Sequence, residues 1–99
     1  MPKFEEELDL SLELSKPKMF KVILHNDDYT SMDFVIKVLT EIFHLDIENA
    51  ERLMIQIHEQ KKAICGIYTF EIAQMKVHQV TKLAKENEFP LLATLEEDK

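Results

Sequence analysis

The sequence predicts an α+β domain: a small antiparallel three-stranded sheet with three helices packed on one face, in the order β-α-α-β-α-β. Three apolar runs of strand length, "MFKVIL", "AICGIYT" and "LLATL", carry the first half of that reading. Between them the apolar residues recur at spacings of three and four, the period of a helix and not of a strand. A chain of 99 residues, 45% of them hydrophobic, has enough apolar material for one core and too little for two.

The first strand runs from Met19 to Leu24 and stops at Asn26, Asp27 and Asp28, which are turn residues. Thr30 is read as the cap of the first helix, with Asp33 three residues on in the manner of a capping box. That helix extends to about Phe43, with Met32, Val35, Leu39 and Ile42 as its stripe and Phe34, Ile36 and Val38 widening the apolar face. Asp46 caps a second helix whose stripe is Ile47, Ala50, Leu53, Met54 and Ile57, and His58 lies beside it one turn beyond Met54. After the strand "AICGIYT", Thr69 caps a third helix carrying Ala73, Val77, Val80 and Ala84 inward, and Pro90 closes it. "LLATL" gives the last strand before the charged end "EEDK".

Residues 1–17 read as a flexible acidic arm ahead of a core at residues 18–99. Five acids there (Glu5, Glu6, Glu7, Asp9 and Glu13) alternate with Leu8, Leu10, Leu12 and Leu14, and Pro2 and Pro17 bracket the segment. "LDLSLEL" also has the alternation of an edge strand.

Composition narrows the function. With one glycine, Gly66, the chain has no material for a phosphate-cradling loop. A net charge of −7 disfavours nucleic acid as a partner. Cys65 is alone and sits in an apolar run, which fits a reducing, cytoplasmic setting, and no apolar run has the length of a membrane span. The four histidines include no HExxH pair and the cysteine has no CxxC partner, so neither a metal nor a cofactor is expected. Asp27 and Asp28, adjacent at a strand end, point to opposite sides and read first as a turn. His25 and Asp27 can share a face as an imidazole and its orienting carboxylate, but no nucleophile accompanies them. Taken singly, Met32, Met54 and His58 are ordinary core or half-buried residues.

Taken in order, "FKVILHNDDYTSMDFVIKVL", "LMIQIHEQ", "AICGIYTFEIAQMKV" and "NEFPLLATLE" closely resemble ClpS, the family of bacterial adaptors of the N-end rule pathway, over residues 18–96. Two positions depart from the family's pattern: Ser31 stands for a proline, and Lys61 for a glycine. The resemblance implies a non-catalytic protein that binds a free N-terminus beginning with Leu, Phe, Tyr or Trp and hands it to the ClpA unfoldase of the ClpAP protease. It places Asn26, Asp27 and His58 around the ligand's α-amino group, with Asp28 ranked below them. It gives the side-chain pocket to Thr30, Met32, Val35, Met54, Ile57 and Leu91. Glu71 and Lys76 become docking residues for the N-terminal domain of ClpA, and the arm becomes the extension that engages the unfoldase. A monomer is expected, since one sandwich accounts for the apolar faces.

Two other readings compete. The C-terminal domain of the ribosomal stalk protein has a similar fold and is a non-catalytic interaction module, but does not need the amine cluster. A small hydrolase built on His25 or His58 lacks an assembled nucleophile.

Overall fold

The computed structural model describes residues 17–99 and has the predicted order of elements. These are β1 (Met19–His25), α1 (Met32–Glu41), α2 (Ile47–Gln60), β2 (Lys62–Thr69), α3 (Phe70–Glu86) and β3 (Leu92–Asp98). The three strands form an antiparallel sheet in the order β2-β1-β3, so the most apolar strand lies at the centre. The acidic arm assigned to residues 1–17 lies, apart from Pro17, outside the described residues.

Val22 and Leu24 of β1 point to the helical side, where they join Val38 and Leu39 of α1, Ile57 of α2 and Val80 of α3 in a fully enclosed core. Each such side chain contributes about 1.5–3 kcal/mol by leaving water. β2 carries one residue more than its partner: Val22 faces Gly66 and Ile23 faces Ile64, leaving Cys65 as the bulged residue. The single glycine has a local cause, because a Cβ at Gly66 would run into the ring of Tyr68 two residues on.

Several boundaries differ from the sequence reading. Ser31, not Thr30, caps α1: the helix begins at Met32, Ser31 holds the extended backbone of a cap at φ −69° and ψ 151°, and its Oγ accepts from the N–H of Phe34 at 3.1 Å, while the Thr30 hydroxyl donates to Asp27. α1 ends at Glu41 with Ile42 as C-cap, two residues short of the expected end. Asp46 does cap α2, accepting from the N–H of Asn49 at 2.8 Å. Thr69 occupies the cap position of α3 without a side-chain bond, and that helix stops at Glu86, ahead of Pro90, where Glu88 turns left-handed at φ 60°. β3 continues through the charged end to Asp98, since Lys21 and Lys18 of the neighbouring segment meet Glu96 at 3.4 Å and Glu97 at 3.9 Å.

Lys61 closes α2 in the left-handed region, at φ 76° and ψ −17°, a conformation in which a Cβ is crowded. Lys61→Gly is expected to stabilise the fold by about 0.5–1 kcal/mol, the relief being partly offset by the looser unfolded chain. A urea midpoint that rises at unchanged m-value is the readout, and an unchanged or lower midpoint contradicts it.

Candidate functional site

The end of β1 and the end of α2 are tied together by one backbone bond, from the N–H of Asn26 to the carbonyl of Lys61 at 2.8 Å. That bond brings Asn26 alongside the last turn of α2, where His58 projects. Beyond Asn26 the chain folds over the carboxylate of Asp27. Its Oδ1 accepts from the N–H groups of Tyr29 at 2.8 Å and Thr30 at 2.7 Å, and its Oδ2 accepts from the Thr30 hydroxyl at 2.6 Å. The turn delivers the chain to Ser31 and so fixes where α1 begins.

Between this turn, α1 and α2 lies a cavity of about 410 Å³. Its apolar wall is Met32 and Val35 from α1 with Met54 and Ile57 from α2, and its polar wall is Asn26, Asp27, Asp28, Thr30 and His58. Ile57 is buried at 2% exposure and forms the floor, while Met32, at 53%, stands at the mouth. Among the described residues the side chains of Asn26, Asp28 and His58 make no hydrogen bond, which leaves their polar atoms free for a ligand.

The electrostatics favour a cation. Desolvation pushes the Asp27 carboxyl up, but the bonds from the Thr30 hydroxyl and the two N–H groups outweigh it and hold the group below its ordinary 3.8. It is therefore ionised at neutral pH. A carboxylate has about four acceptor sites. Three are filled within the turn, so one on Oδ2 is left for a further donor. The site also adjoins the C-terminal end of α2, the negative pole of the helix dipole. The cavity thus sets side by side acceptors from a strand end, a turn and a helix.

The structure brings together Asn26, Asp27, Asp28, Thr30, Met32, Val35, Met54, Ile57 and His58, but not Leu91. Leu91 precedes β3 and is packed into the hydrophobic core, in the same cluster as Phe34 and Phe89. Tyr29 lines the cavity without having been singled out from the sequence, and so does Ser31, noted there only as a departure from the family's pattern. Tyr29 is 79% exposed, and its signal was an aromatic residue set in an otherwise polar turn with no core partner.

Glu71 is exposed in the first turn of α3. Lys76 is half-buried: its ammonium donates to the carbonyl of Ile42 at 2.7 Å, capping α1, and lies 5.7 Å from the ring centre of Tyr68. Five residues apart on a helix, the two lie about 140° apart around its axis. Lys76 also borders a shallower cavity of about 440 Å³ with Glu41, His44 and Lys82. Among the described residues no helix is long and apolar enough to cross a membrane.

The family model described as ATP-dependent Clp protease adaptor protein ClpS matches residues 15–94. The chain belongs to the ClpS family. The ClpS adapter protein of Vibrio atlanticus is 58% identical over 81 residues, covering 82% of this chain and 76% of its own length. That of Erwinia tasmaniensis is 57% identical over 84 residues, 85% of this chain and 79% of its own. Among solved structures, Agrobacterium tumefaciens ClpS2 bound to L-phenylalaninamide superposes with a TM-score of 0.81 at 37% identity, covering 84% of this chain and all of ClpS2. ClpS proteins serve the Clp protease as non-catalytic adaptors.

Proposed function

We propose that the cavity receives the first residue of a protein N-terminus, Leu, Phe, Tyr or Trp, and that the chain delivers the bound protein to the ClpA unfoldase of ClpAP. The observation that carries this reading is the union, in one cavity, of an acceptor cluster for an ammonium with an apolar well. The ligand of ClpS2, a phenylalanine with a free amine and an amide in place of its carboxylate, has both features. Burying a leucine or phenylalanine side chain contributes about 1.5–3 kcal/mol, and each charged hydrogen bond to the amine a similar amount, so specificity comes from requiring both. Glu71 and Lys76 are the docking residues for the N-terminal domain of ClpA. Because they face different sides of α3, that domain would have to straddle the helix. The buried thiol of Cys65, pushed up to about 12 by desolvation, is poorly reactive and acts as a small core residue.

Fluorescence anisotropy with labelled peptides starting in Leu, Phe, Ile or Met, each with a free or acetylated amine, tests the reading. Binding confined to free-amine Leu and Phe peptides, and lost in His58→Ala, supports it. Equal binding of acetylated peptides, or none by any free amine, overturns it.

Met32 at the mouth sets the breadth of the pocket. A β-branched first residue places its second branch close to the ligand backbone, where the Met32 side chain stands. Met32→Ala is expected to improve binding of Ile- and Val-starting peptides about tenfold relative to Leu, a difference of about 1.4 kcal/mol. An unchanged Ile-to-Leu ratio would exclude this role.

A further inference from the structure

Tyr29 is the one large apolar side chain in the polar run "HNDDYTS", and it has no place in the core: it is 79% exposed. Single exposed aromatics are ordinary on a protein surface, and exposure by itself carries nothing. Two further observations set Tyr29 apart. Its backbone is pinned, since its N–H donates to Asp27 Oδ1 at 2.8 Å and the same carboxylate holds the N–H and hydroxyl of Thr30 beside it. Its side chain lines the cavity, and among the described residues its ring pairs with no other aromatic. The turn therefore fixes where the ring is rooted and leaves its face unoccupied.

The chemistry of an N-terminal residue says what comes to that face. Its Cα carries an amine, a side chain and a carbonyl. With the amine at the polar wall and the side chain in the apolar well, the carbonyl is left to lead the chain out through the mouth. The cavity is closed at its floor by Ile57, and the most exposed of its apolar lining residues are Tyr29 and Met32. The second residue begins one step of about 3.8 Å beyond the first and so emerges at the lip where these two stand. Resting on the proposed reading of the cavity as a receptor for N-termini, we infer that Tyr29 selects the second residue. Its ring receives the side chain that follows the buried one and favours flat partners, an aromatic ring or the guanidinium of arginine.

A tyrosine rooted in a fixed turn suits this task, because an aromatic side chain presents a large, stiff surface with only two side-chain torsions to order. Rings pair with it offset or edge to face, and a guanidinium lies flat over it. A lysine ammonium is a compact, strongly hydrated charge, and alanine offers almost no area. Asp28, the exposed acid just before Tyr29, attracts either cation, so charge does not separate arginine from lysine, whereas the ring does.

Peptides beginning Leu-X, with X phenylalanine, arginine, lysine or alanine and otherwise identical, test this together with leucinamide as a competitor, against wild type, Tyr29→Ala and Tyr29→Phe. In the wild type, phenylalanine at X is expected to bind about fivefold more tightly than alanine, or about 1 kcal/mol, and arginine severalfold more tightly than lysine. Both ratios should fall to near one in Tyr29→Ala and persist in Tyr29→Phe, which keeps the ring. The exchange to alanine retains the N–H that Asp27 accepts, so the turn survives it. Ratios that are the same in wild type and Tyr29→Ala overturn the proposal. So does a Tyr29→Ala variant that weakens leucinamide as much as Leu-Phe, which would place the ring in the well for the first side chain. Failure of every free amine, leucinamide included, overturns the receptor reading and this one with it, whereas amine-dependent binding that ignores X overturns this one alone.

Discussion

Asp27→Ala is expected to reduce affinity for a Leu-starting free-amine peptide about a hundredfold. On the proposed reading the substitution removes a carboxylate that meets the ligand's amine, and a hydrogen bond to a charged group contributes about 1.5–3 kcal/mol, or roughly 10- to 150-fold. It also releases the N–H groups of Tyr29 and Thr30 and the Thr30 hydroxyl, so the turn that presents Asn26 loses its order. Asp27→Asn separates the two effects. Its amide oxygen can still accept the two N–H bonds, but the negative charge is gone, so a loss nearer tenfold is expected. Equal binding by Asn and wild type would show that the carboxylate orders the turn and does not meet the ligand. The pH dependence has a definite sign. A carboxyl held below 3.8 in the fold stabilises it fully above that value, and the contribution disappears as pH falls through the lower folded value. Asp27's share of stability and binding should therefore persist down to about pH 4 and vanish only below it.

The order of the six elements was legible because each has its own period and its own stop: alternation ending at "HNDD", a helical stripe begun at Asp46, a strand run beginning at Ala63. What the sequence left ambiguous was decided by neighbours distant in the chain or competing for one bond. Thr30 and Ser31 are both capable caps, and the choice fell to Ser31 because the Asp27 turn holds Thr30 through its N–H and hydroxyl and the helix begins only at Met32. The charges of "EED" look like a solvated tail until Lys18 and Lys21 are set opposite them. The meeting of Asn26 with His58, 32 residues later, depends on the bond from Asn26 to Lys61. No local pattern announces that bond, so the residues alone left His58 as an ordinary half-buried histidine, and only the family likeness joined it to the turn. The same likeness assigned Leu91 to the pocket; its side chain belongs to the core cluster, as those of Val35 and Ile57 do, but does not line the cavity as they do.

Ile57→Ala is expected to destabilise the fold by about 2–4 kcal/mol and to change which ligand binds best. The side chain belongs to the enclosed core, yet it is also the floor of the cavity, so one truncation reaches both. Removing three buried carbons forfeits their transfer free energy and leaves a void that the surrounding helices fill only in part. That void opens into the pocket. A leucine ligand then loses contacts at its tip and should bind about tenfold more weakly, while tryptophan, which reaches deeper, should lose less, so the Trp-to-Leu affinity ratio rises. Ile57→Val serves as the graded control: it removes one methylene, costs about 0.5–1.5 kcal/mol, and should move the ratio only slightly. Urea unfolding with peptide titrations on both variants separates the roles. A lower midpoint with an unchanged ratio would make Ile57 a core residue alone, because a void sealed from the cavity weakens the fold without altering the ligand's surroundings.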